Sequence, residues 1–171
     1  MEKHWGGYLV GFSETYGQLR TLRPGVREDP GRVREYVLQC IWYDQLFSDG
    51  GLCCSRGRPL TVVSPGWWNH SEGPDFKGAQ LELGGQLVTG DVEIHFTHGD
   101  WKQHGHHLDS RYDDVCLVVT LESRPPAAPP CTSLGREIPT LLLAKFLEGD
   151  IRDIADHLSI EAYPYEVPSA A

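Results

Sequence analysis

Asp91, Glu93 and His95 alternate with Val92, Ile94 and Phe96. In a strand this places two carboxylates and an imidazole on one face and three apolar side chains on the other. Aspartate is disfavoured in strands, where threonine is the favoured polar residue. Five of the chain's eight histidines (His95, His98, His104, His106, His107) fall within thirteen residues, and Asp100 and Asp109 lie in the same span. Carboxylates and imidazoles at this density suit a divalent metal or a proton-transfer site. His106 and His107 are adjacent and cannot both face one point if extended, so one of them at most is expected to touch an ion. Upstream, Gly73-Pro74-Asp75-Phe76 stands just before a strand pattern and supplies a further carboxylate.

A Pro-Asp entering a strand, followed on the next strand by Glu-x-(basic), resembles the plan of PD-(D/E)xK nucleases. Here Pro74-Asp75 is followed, after seventeen residues, by Glu93-Ile94-His95. The resemblance implies that Asp75 and Glu93 hold Mg²⁺ or Mn²⁺ and that His95, where lysine is usual, positions water for phosphodiester hydrolysis. A histidine is not a permanent cation, and Lys102 is the candidate to supply the missing charge. Asp75, Glu93, His95 and Lys102 are therefore the candidate catalytic residues. Asp75, Asp91, Glu93, His104, His106 and Asp109 are the candidate metal ligands. An alternative uses the same stretch as a zinc-type hydrolase, with His95, His104 and His106 joined by Asp109. A third reading is non-catalytic: a binding or assembly module on a degenerate nuclease scaffold, with the histidines only bracing their loop. Tight zinc on three imidazoles favours the second, weak Mg²⁺ on carboxylates the first, and no metal the third.

The elements that must position these residues follow from periodicity. Asp29-Pro30 reads as a helix cap and first turn. Val33, Val37, Cys40, Ile41 and Phe47 recur at helical spacing to Phe47, with Glu35 and Gln39 on the more polar side. Pro59–Ser64 is a short strand, and 65–76, rich in turn formers and large aromatics, is a loop. Ala79–Leu83 and Gln86–Phe96 are strands joined by Gly84-Gly85. Pairing Leu83 with Gln86, Leu81 with Val88 and Ala79 with Gly90 matches the apolar faces. That register puts Asp75 on the apolar side, and it reaches Glu93 only through a bulge or bend, for which Gly78 is the candidate. Thr97–Asp114 is a polar loop with a helical turn, and Val115–Leu121 a central strand covered on both sides. Thr140–Leu147 and Asp150–Leu158 read as helices broken by Gly149.

The fold expected is α/β: a mixed sheet of about four strands with flanking helices, in the αβββαβ order of a restriction-endonuclease-like core. Residues 1–27 are expected to form an N-terminal arm, 28–160 a single domain, and 161–171 a tail.

GPDF, GDVEIH, DW-x-x-HGH and D-x-x-Y together are more specific. Gly73–Phe76, Gly90–His95, Asp100-Trp101, His104-Gly105-His106, Asp109 and Tyr112 resemble an uncharacterised bacterial family, the domain of unknown function numbered 2851. Asn69 and Ile138-Pro139-Thr140-Leu141 fit the same pattern, and the similarity runs from about Glu35 to Leu143. The resemblance carries no established activity. Members of that family are longer, which implies a short form or a fragment lacking a C-terminal region.

Composition sets the outer bounds. A chain of 171 residues suits one domain with a core of its own. No apolar run approaches the ~20 residues of a membrane span, so no membrane partner is expected. Five cysteines in an odd set, without a leader-like apolar segment at the start, argue against a disulfide framework and for a cytoplasmic location. The net charge of −9 argues against coating nucleic acid with the whole surface. A local basic rim of Arg56, Arg58, Lys77, Lys102 and Arg111 would still admit nucleic acid as a partner. Trp67 and Trp68 could stack on bases or close a core edge.

Overall fold

Helix α1 (Glu35–Asp44) places Val37, Leu38, Cys40, Ile41 and Trp42 against the sheet, all of them buried. Its polar side carries Glu35 and Gln39, one helical turn apart. A computed structural model of the protein describes residues 35–158. The expected arm, the Asp29-Pro30 helix start and the tail lie outside the described residues. The helix is anchored from its far end, where Trp42 Nε1 donates to the Pro65 carbonyl at 3.1 Å.

The sheet is built from β1 (Leu60–Ser64), β2 (Trp67–Trp68), β3 (Phe76–Leu83), β4 (Gln86–His95), β5 (Val115–Thr120) and β6 (Thr140–Leu142). The spatial order is β1-β3-β4-β5-β6, with β2 paired beside β3. β1, β2 and β4 run antiparallel to β3, whereas β5 is parallel to β4 and β6 to β5. The hairpin has the register expected from its apolar faces, Leu83 with Gln86, Leu81 with Val88 and Ala79 with Gly90. The register then slips between Phe76 and Ala79, so that Phe76 faces Val92. Gly78 takes φ +64° there, a conformation that a β-carbon resists. This bulge brings the residue before Phe76 level with Glu93.

A parallel pair needs a crossover. Residues 96–114 supply it, through α2 (Asp100–Gln103) and two 3₁₀ turns at His106–Leu108 and Ser110–Tyr112. The crossover covers one face of the sheet with its own small core of Trp101, Tyr112, Val115, Val118 and Ile138. On the other face α1 packs on Phe76, Leu81, Val92, Ile94, Leu117 and Val119. Val92 and Ile94 are both 0% exposed. Each such burial contributes roughly 1.5–3 kcal/mol, so the strand carrying Glu93 is held firmly against the α1 side. Helix α3 (Ile151–His157) closes the described chain, capped by the Asp150 side chain.

Several expectations are corrected. The sheet has six strands rather than about four. Thr140–Leu147, read as helix, is β6 followed by a 3₁₀ turn at Leu143–Lys145. A short apolar run looks the same as helix or buried strand until its neighbours are known. Here Val118 N–H bonds the Pro139 carbonyl at 3.0 Å and draws the segment alongside β5. Within 65–76, read as loop, Trp67-Trp68 pairs with Lys77 and Phe76. β3 starts at Phe76 rather than Ala79, and β4 stops at His95 rather than Phe96.

Candidate metal centre

The bulge carries Asp75 to Glu93, and the backbone then locks the two together. Asp75 N–H donates to Glu93 Oε2 at 3.0 Å, and Ile94 N–H donates to Asp75 Oδ2 at 2.9 Å. Gln39 on α1 donates to Asp75 Oδ1 at 2.7 Å. Three of the four carboxylate oxygens are thus engaged by protein donors. The fourth, Glu93 Oε1, faces the imidazoles: His106 Nε2 at 3.1 Å and His95 Nε2 at 3.6 Å. Neither nitrogen makes a hydrogen bond although both are buried. His106 is close enough to Glu93 but out of line for one. Lone pairs that crowd together without bonding each other are what ligands of a shared ion present.

His95 supplies the clearest polarity. Its Nδ1 lies 2.9 Å from Glu35 Oε1. With a carboxylate there, Nδ1 carries the proton and Nε2 keeps its lone pair toward Glu93. The ring is 2% exposed and Glu35 36%, so the contact is shielded on the histidine side. His104 completes the set. One ring nitrogen from each of His95, His104 and His106 lies within 4.8 Å of the other two. Two ligands at the ~2.1 Å zinc–nitrogen distance can be at most about 4.2 Å apart. His104 is the exposed member of the three.

The loop is shaped for this convergence. Gly105 takes φ +78°, which turns the chain between His104 and His106. His106 stacks on Tyr112 with ring centroids 3.9 Å apart and meets the edge of Trp101 at 5.3 Å. Trp101, 1% exposed, donates Nε1–H to the Cys131 carbonyl at 2.9 Å and so fixes the loop.

Burial dominates the electrostatics. It pushes the Asp75 carboxyl up to about 8, with the charge of Glu93 adding to the effect. Burial likewise pushes Glu93 up to about 7, against the pull of His95. Two adjacent carboxyls in this position hold on to a proton near neutral pH and titrate as a pair. Burial moves the His106 imidazole the other way, below its ordinary value, which keeps it neutral and able to donate a lone pair. Tyr112 is pushed up to about 12 by burial and then by Glu93 and Asp75.

Among the residues expected from sequence, the structure brings Asp75, Glu93, His95, His104 and His106 together. Asp91 is drawn aside: Lys77 Nζ donates to its Oδ2 at 2.8 Å and Gly78 N–H to its Oδ1 at 3.0 Å. Asp91 therefore braces the bulge. Asp109 is held by Arg111, whose Nε lies 2.9 Å from Oδ2. Lys102 is on the exposed side of α2. Of the expected basic rim, Arg56 pairs with Glu137, Arg58 bonds the Leu83 carbonyl, and Arg111 pairs with Glu72 as well as Asp109. Glu35 and Gln39 had no assigned site role. Their signal was the four-residue spacing on the polar side of a helix that leads into the sheet.

The model of the family described as Protein of unknown function (DUF2851) matches residues 35–166. No curated protein and no solved structure matches the chain. The family match covers more than half of the sequence and takes in every residue of the cluster, and the chain belongs to this family.

Proposed function

We propose that the protein is a metal-dependent phosphodiester hydrolase whose ion is held by His95, His104 and His106, with Glu93 facing it. The observation that carries this reading is the pair of buried, unbonded Nε2 atoms of His95 and His106 beside Glu93 Oε1. Three imidazoles favour zinc, with manganese next, over magnesium, which prefers oxygen donors. That Asp75 already binds Gln39 and Ile94 through both oxygens points the same way.

When bound, such an ion supplies a Lewis acid and a lower pKa for water. The chain's own groups supply the rest. Glu35 fixes the His95 tautomer and orientation. Glu93 Oε1, the one oxygen of the two carboxyls that no protein donor engages, is the acceptor placed to take a proton from attacking water, and the leaving alkoxide takes its proton from solvent. Gln39 and the Ile94 amide hold Asp75 in place.

The phosphodiester as substrate rests on the motif order Pro74-Asp75 then Glu93-x-His95, and on the element order. α1, β1, β3, β4, the helical crossover and β5 follow the αβββαβ sequence of a restriction-endonuclease-like core, with β2 and β6 as additions. In the test, chelator-stripped protein is reloaded with Zn²⁺, Mn²⁺ or Mg²⁺ and given a fluorescent oligonucleotide. Cleavage restored by zinc or manganese and lost in His95→Ala is the expected result. Stoichiometric zinc binding without cleavage of any phosphodiester would reduce the site to a structural one.

A further inference from the structure

Trp67 is 77% exposed, whereas its neighbour Trp68 is half-buried among the rings of Tyr36, Tyr43 and Phe76. The two tryptophans of β2 point to opposite faces of the sheet. Trp68 faces α1, so Trp67 stands on the face that carries the metal centre. Its cross-strand partner is Lys77. Directly paired residues share a face, and Lys77 reaches across to Asp91, two residues before Glu93. Trp67 is thus two strand spacings from β4 and two residues along it from Glu93. Strand spacing and rise put its Cα about 12 Å from that of Glu93.

At 77% exposed, the indole packs little against the described residues. Nor can phosphate contacts carry much of the binding of a polynucleotide here. The chain has a net charge of −9, and of the five basic residues of the expected rim Arg56, Arg58, Lys77 and Arg111 are already engaged by protein acceptors, which leaves Lys102 as the one exposed cation of that rim for a phosphate. Affinity must then come more from the bases than from counterion release. A flat aromatic surface is the group that reads a base regardless of sequence.

We infer that Trp67 is the stacking platform of the substrate site, holding an unpaired base of a single-stranded polynucleotide a nucleotide or two from the phosphate at the metal centre. This rests on the hydrolase reading above. Trp67 is a positioning residue and takes no part in the bond-breaking step.

Binding of zinc-loaded protein to a labelled phosphorothioate oligothymidylate, followed by fluorescence anisotropy, tests it. The same strand with abasic sugars in place of thymidines serves as the comparison. Trp67→Ala is expected to weaken binding to the thymine strand by about five- to 150-fold, the range of one base–aromatic stack. Trp67→Phe should retain most of the affinity. Zinc affinity and melting temperature should stay at wild-type values, and binding to the abasic strand should be equally weak in wild type and Trp67→Ala. Equal binding of the thymine strand by wild type and Trp67→Ala overturns the inference. So does an equal loss on both strands, or a loss explained by a change in sedimentation, which would make Trp67 a contact between copies. A wild-type protein that binds zinc yet neither strand overturns the polynucleotide reading itself, and Trp67's role with it.

Discussion

His95 and Glu35 are sixty residues apart in sequence and 2.9 Å apart in space, imidazole Nδ1 to carboxylate oxygen. The contact ties the first turn of α1 to the last residue of β4. It decides which nitrogen of His95 is available, and leaves Nε2 turned toward Glu93, as the proposed ion site requires. A carboxylate behind a ligating histidine typically accounts for ten- to hundredfold in metal affinity. Glu35→Gln should therefore weaken zinc binding by about that factor, whereas His95→Ala should abolish it. Competition against a chromophoric chelator measures both. Unchanged affinity in Glu35→Gln would show that the contact orients nothing.

The Asp75–Glu93 pair gives the metal-free protein an unusual pH dependence. Both carboxyls are raised in the fold, to about 8 and about 7, from unfolded values of ~3.9 and ~4.3. Between those limits the folded state binds more protons than the unfolded state, so stability falls as pH rises. The contribution is complete below about pH 4 and is lost through about pH 7 to 8. With chelator present, the urea midpoint should be higher at pH 5 than at pH 8. Asp75→Asn should flatten the slope, since it removes one titrating carboxyl and the repulsion it causes. A midpoint that rises with pH in the wild type would contradict the pairing.

Gly105 sits between two of the proposed ligands, His104 and His106, at φ +78°. A β-carbon there costs about 1 kcal/mol of fold stability and pulls the turn away from the left-handed region. Gly105→Ala is expected to lower the melting temperature slightly and zinc affinity disproportionately, because His104 and His106 lose their common direction. Equal, small effects on both would mean that the turn is not what aligns them.

The cysteines separate into two groups. Burial pushes the thiols of Cys40 and Cys54 up to about 12 and that of Cys116 up to about 11, whereas Cys53 and Cys131 are only partly buried. Thiolate is the reactive form. Iodoacetamide at pH 8 should label Cys53 and Cys131 in the folded protein and spare Cys40, Cys54 and Cys116, as peptide mass mapping would reveal. Labelling of Cys116 without unfolding would show that the β4–β5 seam opens.

Much of this was legible in the residues. The β3–β4 register follows from period-two alternation, because a slip of one residue would expose Val92 and Ile94. The need for a bulge at Gly78 followed from requiring Asp75 to meet Glu93. The density of histidine after β4 marked the centre. What stayed hidden is long-range. Nothing local says that Glu35 will meet His95, or that Lys77 will claim Asp91 and take it out of the site. Nothing local tells Thr140-Leu141-Leu142 to pair with β5 rather than coil, since a short apolar run suits either state until its partner strand exists.

The central claim is that three imidazoles converge on one ion, and an anomalous-difference map from crystals soaked in zinc tests it most directly. The account predicts a single strong peak at about 2.0–2.1 Å from Nε2 of His95, Nε2 of His106 and a ring nitrogen of His104, with Glu93 Oε1 beside it. A peak on the Asp91 or Asp109 carboxylates instead, or none within the histidine cluster at stoichiometric zinc, would contradict it.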